Sequence, residues 1–531
     1  MAPTKPWSKH SPAGPWDTIV VGSGMGGMTT AALLSKLGKR VLVLEQHYTA
    51  GGFTHTFKRP GYRWDVGVHA VGEVTPHSMT GRLLGWLTHD QLQWTSLGEV
   101  YEELHFPGGF RIDFPDNLRQ LQHNLVEAFP SERQGLEDYF QLVNEVAHGM
   151  RGYFLAQTLP PQLAPVADRL LARKVQPYLE QTTAEVLQRF TSNRELQTIL
   201  TAQWGYYGSL PSRSSFAIQA LVVKHFSHGA YYPVGGAGQI ALHLLQTVAD
   251  AGGWTRINAD VAEIIIEGGR AVGVRLADGE EIRAARMVSA VGVGATVRRL
   301  LPERYRAEPW AEAVAALPPG PAYLCLHLGF KGDIRKAGAT TANQWFYRTW
   351  SHDDQSVWTV TPDSELSDAP VLYCSFPSIK DPSHDPGPEQ RHTGEVVTFV
   401  PWSVFAPWRD QPWKKRGPAY EAFKQSIQDH LLEQLLSEMP ALRPMVDHVE
   451  LSTPVSTDTF CRPLSGSAYG LEPTPERFRC PWLRARSPIP NLLLSGCEVA
   501  SAGVMGAMMG GVLAALVAEP VRTLSALRPL L

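Results

Sequence analysis

Cysteine is scarce in this 531-residue sequence, with five residues and no CxxC pair. An odd, scattered set of cysteines argues against a disulfide framework and offers no zinc-binding spacing, so we expect free thiols in a reducing compartment, the cytoplasm. Neither sign of charge predominates, because 48 Lys and Arg residues nearly balance 51 Asp and Glu residues. We therefore expect no nucleic acid as a partner, since nothing attracts this chain to a phosphate backbone at long range.

Long apolar runs are also few. The first residues lack the apolar segment of a signal peptide, so we expect residues 1–15 to form a flexible lead-in and the chain not to be exported. The uncharged run 499–518 has about the 20-residue length of a membrane span, and it carries Gly506 and Gly510 four residues apart. Because this run is mostly Gly, Ala, Ser and Met and lacks flanking aromatic residues, we predict a buried helix instead.

The sequence after Trp16 has the pattern of a strand, a glycine turn, a helix and a second strand. Residues 17–21 (DTIVV) and 40–44 (RVLVL) are short apolar runs, and residues 25–37 between them have helical spacing. This order of elements predicts a βαβ unit.

The turn of this unit, GSGMGG at residues 22–27, fits the GxGxxG motif. Gly22 permits the tight turn, Gly24 lets the backbone approach a pyrophosphate, and Gly27 allows the helix to pack closely on the strand. Glu45 ends the second strand, where a carboxylate accepts hydrogen bonds from a ribose diol and repels a 2′-phosphate. The unit therefore predicts a dinucleotide site.

The residues after Glu45 favour FAD over NAD as the dinucleotide. Gly51, Gly52 and Thr54 continue the nucleotide contact, and the segment 64–69 (WDVGVH) follows them. A simple NAD-binding domain does not need this extension, so we predict FAD, bound non-covalently.

A second part of the FAD site is predicted near the C-terminus. Gly496 and Glu498 follow a strand and precede a long helix of small residues. Glu498 can bond to ribityl hydroxyls, and the helix start at Val504 and Met505 can stabilise the anionic reduced flavin. An acid in the N-cap region of the helix is the alternative explanation of Glu498.

The nucleotide-binding features lie in separate parts of the chain. Helical spacing over residues 239–251, a hairpin over 261–276 and a strand over 287–291 supplement the first βαβ unit. The fold class is therefore α/β: a two-dinucleotide-binding-domain flavoprotein with a discontinuous Rossmann-like FAD domain and an inserted α+β substrate domain. The predicted FAD-binding parts are 16–100, 221–300 and 461–531, the helical substrate or lid region is 101–220, and the substrate-binding domain is 301–460.

The chain resembles the phytoene desaturase-like FAD-dependent oxidoreductases nearly end to end, and most of all their retinol saturase branch. The blocks that carry the resemblance are DVGVH at 65–69, LVVKHF at 221–226, GAYYPVGG at 229–236, FPSIKDP at 376–382, GSAYG at 466–470 and the segment 495–511. The resemblance implies that Val261 contacts the adenine side of FAD through its backbone. It also implies hydride exchange between flavin N5 and a carbon of a hydrophobic polyene, by a saturase, desaturase or isomerase.

Such a reaction also handles a proton at the neighbouring carbon. His69 is the first candidate for this catalytic role, because its loop follows the Gly51 and Gly52 contact and histidine titrates near neutral pH. Tyr231 and His225 are weaker candidates. A structural histidine bonded to the backbone is the alternative for His69.

Other functions stay open. The same fold can act on an unsaturated fatty acyl lipid or on an amine, and in a different class it can carry a prenyl lipid without redox chemistry. The sequence has one GxGxxG motif, so we expect no built-in NAD(P)H domain, and NAD(P)H is a candidate external reductant. The direction of the reaction and the electron donor are not determined by these residues.

A hydrophobic substrate suggests peripheral contact with a membrane. In helical spacing, Leu163, Val166, Leu170, Leu171 and Val175 share one face, and the basic residues of the segment lie largely elsewhere. This pattern predicts either a helix on a membrane surface or a lid that packs its apolar face inward.

Overall fold

The computed structural model describes residues 5–355, 357–358, 360–362 and 364–530. Two sheets organise the described residues, and a large apolar core lies beside each of them. We call them the nucleotide sheet and the cavity sheet.

The nucleotide sheet has eight strands within the described residues. Its strands pair in parallel at the centre, where short runs such as VLVL at Val41–Leu44 are fully buried between layers of helix. The strands, in spatial order, are Trp7–Ser8, Trp254–Arg256, Val41–Leu44, Trp16–Val21, Glu281–Ser289, Arg270–Leu276 and Val261–Glu267, with Leu492–Leu494 beside Glu281–Ser289.

Helix Met25–Lys36 packs on this sheet between helices Gly238–Asp250 and Gly503–Ala518. Glycines make the close approach possible: a Cβ at Gly510 would overlap the carbonyl oxygen of Gly496, and a Cβ at Gly511 would lie 2.6 Å from the carbonyl oxygen of Gly26. The prediction of a buried helix near the C-terminus is confirmed. Among the helices of the described residues, none has the length and hydrophobicity needed to span a bilayer.

The cavity sheet has seven strands within the described residues and is mostly antiparallel. Alternate residues point to opposite faces, and each face is buried against its own core. Its strands, in spatial order, are Val446–Ser452, Ala322–Lys331, Arg391–Val400, Val371–Ser375, Asn343–Tyr347, Val100–Phe106 and Phe110–Pro115.

Helices pack on both faces of the cavity sheet, and two small strand pairs complete the strands of the described chain. One pair is the hairpin of Thr56–Arg59 with Tyr62–Asp65. The other is the antiparallel pair of Trp94–Ser96 with Tyr231–Pro233, two strands that are distant in the chain. The longer remaining helices are Met79–Thr88, Leu118–Ala128, Arg133–Ala156, Ala164–Leu171, Gln176–Glu180, Thr183–Leu187, Arg194–Leu200, Phe216–His225, Pro309–Ala315, Gly417–Glu438, Pro454–Phe460, Pro475–Arg479 and Pro520–Leu527.

Three predictions about segments need correction. The lead-in 1–15 is not free along its length, because Trp7–Ser8 adds a parallel strand beside Trp254–Arg256; residues 1–4 lie outside the described residues. The region 101–220 is not helical throughout, since Val100–Phe106 and Phe110–Pro115 complete the cavity sheet.

The third correction concerns the amphipathic segment 163–175. Its helix ends at Leu171, and Val175 is buried in the helical core. Leu163, Val166 and Leu170 are 51%, 60% and 73% exposed, so this short apolar face does not pack inward as a lid in this structure.

Candidate active site

A cavity of about 1520 Å³ lies between the two sheets. At one end its wall is made by glycines and helix starts next to the nucleotide sheet, including Gly22 and Val504. At the other end it is made by side chains of the cavity sheet, including Val397 and Phe399. We call these the glycine end and the aromatic end.

The GxGxxG turn forms part of the glycine end. Gly22 has φ +95°, which favours glycine, and no described atom lies within 4 Å of a Cβ built on Gly24. The backbone at Gly24 is therefore open to the cavity at the start of helix Met25–Lys36. Gly27 does not line the cavity; a Cβ there would overlap the carbonyl oxygen of Gly22, so its place is in helix-to-strand packing.

Glu45 lies beside this turn, buried at the end of its strand. Its Oε2 accepts hydrogen bonds from Ser23 N at 3.0 Å and from Ser23 Oγ at 2.6 Å, and its Oε1 accepts one from His47 N at 2.9 Å. The carboxylate also lines the cavity, and its oxygens have further lone pairs for a hydroxyl ligand. Ser23, which the sequence analysis did not single out, holds the acid in place.

Gly51, Gly52 and Thr54 form a tight 3-10 turn next to Ser23. Gly51 has φ +127°, its N–H donates to Ser23 Oγ at 2.9 Å, and Thr54 Oγ1 donates back to the Gly51 carbonyl at 2.8 Å. Gly52 and Thr54 line the cavity, whereas Gly51 does not. One serine thus ties the two glycine segments and the acid into a single wall.

The C-terminal segment packs against the glycine turn: a Cβ built on Gly26 would lie 2.5 Å from the Cα of Gly496. Glu498 Oε2 accepts from Gly294 N at 2.8 Å and Oε1 accepts from Leu471 N at 3.0 Å. Helix Gly503–Ala518 begins five residues later with Ala502 as its N-cap, so Glu498 is not an N-cap acid. The buried carboxylate instead joins two loops at the cavity wall.

The other predicted residues of this end also line the cavity. Gly496 has φ +107° and no described atom within 4 Å of a built Cβ. Val504 and Met505 lie in the first turn of the helix, whose free N–H groups carry partial positive charge. Val261 lies at the start of strand Val261–Glu267.

His69 lies at the aromatic end, where its ring lines the cavity and makes an edge contact with Tyr373 at 5.2 Å between centroids. His69 Nδ1 is 2.9 Å from Glu395 Oε2. Burial, and next the charge of Lys380, lower the pKa of His69 to about 3, so the ring is neutral at physiological pH. The alternative of a purely backbone-bonded histidine does not describe this contact.

The second predicted catalytic residue, Tyr231, lines the cavity in strand Tyr231–Pro233, and its N–H donates to the Val71 carbonyl at 2.9 Å. Burial raises the pKa of its hydroxyl, and the neighbouring Asp116 raises it further. His225 Nε2 accepts a hydrogen bond from Gly72 N at 2.8 Å, which fixes a loop.

Four buried titratable groups lie behind His69, and the sequence analysis assigned none of them. Lys380 Nζ donates to the carbonyl of His69 at 3.0 Å, to Ser375 Oγ at 2.8 Å and to Asn343 Oδ1. The three carboxyls of the group are Asp65, Glu102 and Glu395, at 2%, 0% and 1% exposure.

Burial is the largest cause of the pKa shift in each of these groups. It raises the pKa of Glu395 to about 8, against the opposing charge of Lys380, and it raises the pKa of Glu102 and Asp65 to about 7. The pKa of Lys380 is lowered by burial, against the three carboxylates. A cluster that prefers neutral forms near neutral pH is suited to proton transfer.

One signal in the sequence could have pointed to Glu395. In strand Arg391–Val400 the side chains of Thr393, Val397 and Phe399 share a buried face with Glu395. A charged residue in the apolar alternation of a strand is informative, because its burial needs a partner. Lys380 lies in the FPSIKDP block, which was identified without a role for the lysine.

A glycine turn on a parallel sheet, an acid at the next strand and a large cavity closed by a second sheet define a dinucleotide-binding oxidoreductase. The chain belongs to the flavin containing amine oxidoreductase family, whose sequence profile matches residues 25–517. The predicted class, a two-domain FAD-dependent oxidoreductase, is confirmed.

Two relatives and one solved structure place the chain further. It is 30% identical over 514 residues to an all-trans-retinol 13,14-reductase of Danio rerio, covering 93% of this chain and 84% of that protein. It is 25% identical to a chloroplastic prolycopene isomerase of Daucus carota, covering 86% and 72%. Cyclohexylamine oxidase of Brevibacterium oxydans shares the fold, with a TM-score of 0.59 at 18% identity over 96% and 99% of the chains. The resemblance inferred from the sequence is confirmed.

The residues of the glycine end fit FAD. The backbone is open at Gly24, Gly496 and Gly503, where no described atom lies within 4 Å of a built Cβ. Two helix starts offer N–H groups to a pyrophosphate and a flavin ring, and Glu45 offers carboxylate oxygens to a ribose. The individual contacts to FAD stay predictions.

Proposed function

We propose that this protein is an FAD-dependent oxidoreductase that exchanges hydride between flavin N5 and a carbon-carbon double bond of a hydrophobic polyene. The observation that carries the proposal is the continuity of one cavity from the glycine end to the aromatic end. A long apolar substrate can lie along aromatic side chains and meet the flavin away from water. The similarity to a retinol reductase and a prolycopene isomerase favours this substrate class over an amine or an acyl lipid.

In this proposal the chain's own residues bind and orient the cofactor and the substrate, and they exclude water from both. Gly22, Gly24, Gly52 and Glu45 hold the ADP part, and Glu498 with the helix start holds the ribityl and ring part. The flavin, when bound, supplies the hydride chemistry. His69 handles the proton at the neighbouring carbon, because its neutral ring lines the cavity.

The test begins with the absorbance spectrum of the purified protein. We expect bound flavin; a colourless protein that binds prenyl lipids would instead support the carrier function. The reduced protein is then incubated anaerobically with retinol, carotenoid, unsaturated acyl and amine panels, and products are identified by mass. Turnover of the acyl or amine panel alone would contradict the polyene proposal.

The electron donor is a separate part of the proposal. Reduction of a double bond requires a two-electron donor for the flavin, and NAD(P)H is the first candidate. Anaerobic mixing of the oxidised protein with NADH and NADPH, followed by flavin absorbance, tests it. Bleaching supports a transient NAD(P)H site, and an unchanged spectrum points to another donor.

We also propose that the protein contacts a membrane surface through the apolar face of Leu163, Val166 and Leu170. These side chains are exposed, and Leu171 packs its carbonyl against Gly152, one turn from Leu155 at the cavity wall. An apolar patch beside a cavity opening gives a lipid substrate a short path. Liposome co-sedimentation of the Leu163→Gln, Leu170→Gln variant tests this proposal, with Tyr48→Gln as an exposed control; equal binding of both would contradict it.

A further inference from the structure

One cross-strand row of the cavity sheet is polar although the core around it is apolar. His327 pairs with Glu395, Glu395 pairs with Ser375, and Asn343 pairs with Glu102 in the register of the sheet. The next row towards the cavity carries Val397, Tyr373 and Trp345, which line it. We call the first five residues the polar row.

Lys380 and His69 close the polar row from the side of the cavity. Lys380 reaches Asn343 and Ser375, and its bond to the His69 carbonyl fixes the loop that carries the ring. The His69 Nδ1 atom is buried against Glu395, so Nε2 is the ring nitrogen left to meet the cavity. The His69 ring thus lies between Glu395 and the cavity in which a substrate would bind.

The charges of this cluster do not balance when every group is ionised. Three buried carboxyls face one buried ammonium, while burial keeps the rings of His69 and His327 neutral. An unpaired buried carboxylate is costly, so at least one carboxyl holds a proton. Glu102 receives hydrogen bonds from Tyr206, Trp345 and Asn343, and Asp65 receives them from Tyr232 and Ala237 N.

Glu395 is the carboxyl best suited to hold this proton. No side chain of the described residues donates to its Oε1 or Oε2 in hydrogen-bond geometry, whereas side chains donate to both Glu102 and Asp65. Burial raises the pKa of Glu395, and the charge of Lys380 and the Asp65 backbone N–H only partly offset this effect. Loss of its proton would leave an anion near Lys380, whose positive charge lowers the pKa of Glu395 against burial. Because burial makes the anion of Glu395 unfavourable, we expect it to form only transiently, during turnover.

We propose that Glu395 is the proton store of this site, and that its proton reaches the substrate through the His69 ring while Lys380 supplies the counter-charge. This inference rests on the proposed function. His69 is the catalytic residue because it meets the cavity, and Glu395 and Lys380 are positioning residues that act through it.

The proposed transfer balances in the direction of double-bond reduction. FAD, when bound and reduced by an external two-electron donor, would supply a hydride to one alkene carbon. The other carbon receives the Nε2 proton of His69, so the N–H bond breaks as the C–H bond forms. Nδ1 takes the Glu395 proton in the same step, which leaves a neutral ring and a carboxylate beside Lys380. After product release a proton from solvent binds Nε2 while Nδ1 returns its proton to Glu395, which restores both the starting tautomer of His69 and the protonated carboxyl.

The first experiment is infrared spectroscopy of the protein without substrate. A protonated carboxyl has a C=O stretch separate from that of a carboxylate, and this stretch shifts in D₂O. We expect a protonated-carboxyl signal at neutral pH, with a component that is lost in Glu395→Gln and shifted in His69→Gln. Glu103→Gln is the matched control, because Glu103 is a buried acid of the same sheet that bonds Thr340 and Gln344 on the other face. An identical signal in Glu395→Gln and the wild type would overturn the proposal.

The second experiment is single-turnover reoxidation of the reduced flavin by a polyene substrate. We expect Glu395→Gln to slow it by about 100-fold, since a positioned acid contributes about 10²–10⁴-fold, with substrate affinity unchanged. Glu395→Asp should restore part of the rate, and Glu103→Gln should match the wild type. A large loss in Tyr206→Phe without a loss in Glu395→Gln would overturn the proposal in favour of Glu102 and Tyr206.

The two experiments separate this inference from the proposed function. If the wild type turns over no polyene, the proposed function fails, and the infrared comparison alone decides whether Glu395 stores a proton beside His69. If polyenes turn over and Glu395→Gln keeps the wild-type rate, the proposed function stands and the proton store is wrong.

Discussion

Ser23 makes three hydrogen bonds at the glycine end, two to Glu45 and one to Gly51. Its N–H and hydroxyl donate to Glu45, and its oxygen accepts from Gly51 N, so the acid and both glycine segments share one contact. Bonds to a charged acceptor are about twice as strong as neutral ones, which fixes the carboxylate before any nucleotide arrives. The glycine motif therefore works through its variable second position as well as its glycines.

Gly24→Ala should weaken FAD binding without unfolding the protein. The added methyl meets no described atom within 4 Å and would occupy the space that the prediction gives to the pyrophosphate. We expect a loss of flavin affinity of about tenfold or more, which is about 1.4 kcal/mol. Flavin titration of the apoprotein measures it, and the apoprotein's melting temperature should not change. An unaltered affinity would contradict the predicted pyrophosphate position.

The reduction rate should fall as pH rises through about 8, the pKa to which burial raises Glu395. The sign follows from the proton: below this pKa the carboxyl is loaded, and above it the store is empty. Stopped-flow reoxidation of reduced flavin by substrate across this pH range measures the effect. Glu395→Gln should lose this pH dependence. A wild-type rate that stays flat from about 2 pH units below this pKa to about 2 units above it would contradict the prediction.

At the scale of elements, glycines let helix Gly503–Ala518 pack closely against its neighbours. Gly506, Gly510 and Gly511 bring its backbone against the Ser501, Gly496 and Gly26 carbonyls. A GxxxG pair serves helix packing in membranes and here serves packing inside a folded domain. Close packing positions the helix start at the cavity wall.

Gly510→Ala should destabilise the protein because the added methyl overlaps the carbonyl oxygen of Gly496. Overpacking of a dense core costs about 1–3 kcal/mol, and backbone atoms cannot move aside as a flexible side chain can. Chemical denaturation of the holoprotein measures the loss. Val521→Ala, at an 80% exposed position, is the control and should change stability by less than about 0.5 kcal/mol. Equal stability of both variants would contradict the packing argument.

At the scale of the whole molecule, the cavity joins segments from both ends of the chain. Gly22 and Gly52 lie near the N-terminus, Glu498 and Met505 lie near the C-terminus, and the cavity sheet between them supplies the other wall. A ligand that spans the cavity therefore contacts every part of the discontinuous nucleotide-binding region at once.

FAD should raise the thermal stability of the whole chain in one transition. A ligand at 100 times its Kd stabilises the folded state by about 2.7 kcal/mol. Calorimetry of apoprotein with FAD, with ADP and without ligand measures it. ADP should stabilise less, because it lacks the ribityl and ring part that Glu498 and the start of helix Gly503–Ala518 are predicted to hold. Separate transitions that FAD shifts unequally would contradict a single cooperative site.

The sequence by itself determined the nucleotide-binding unit, the cofactor class and the family. The nucleotide-binding unit rests on residues close in the chain: the glycine turn, the strand before it and Glu45 are spaced by the geometry of one βαβ unit, which local patterns specify. The cofactor class and the family rest on further short motifs along the chain, each of which is readable locally. The predicted helix 25–37 is observed as Met25–Lys36, and the hairpin over 261–276 is observed as Val261–Glu267 with Arg270–Leu276.

Only the tertiary structure decided what lies behind the substrate cavity. Strand pairing across the cavity sheet puts Glu102 and Glu395 in one row, and Lys380, at the end of the short helix Pro377–Lys380, reaches the His69 carbonyl beside them. Nothing in their local sequence specifies this arrangement. The sequence also left open whether the apolar face from Leu163 to Leu171 is exposed or buried. A helix that packs this face inward and one that turns it outward have the same amphipathic pattern. Burial and register are properties of the folded chain, and they set both the charge of the buried acids and the place where the proton can go.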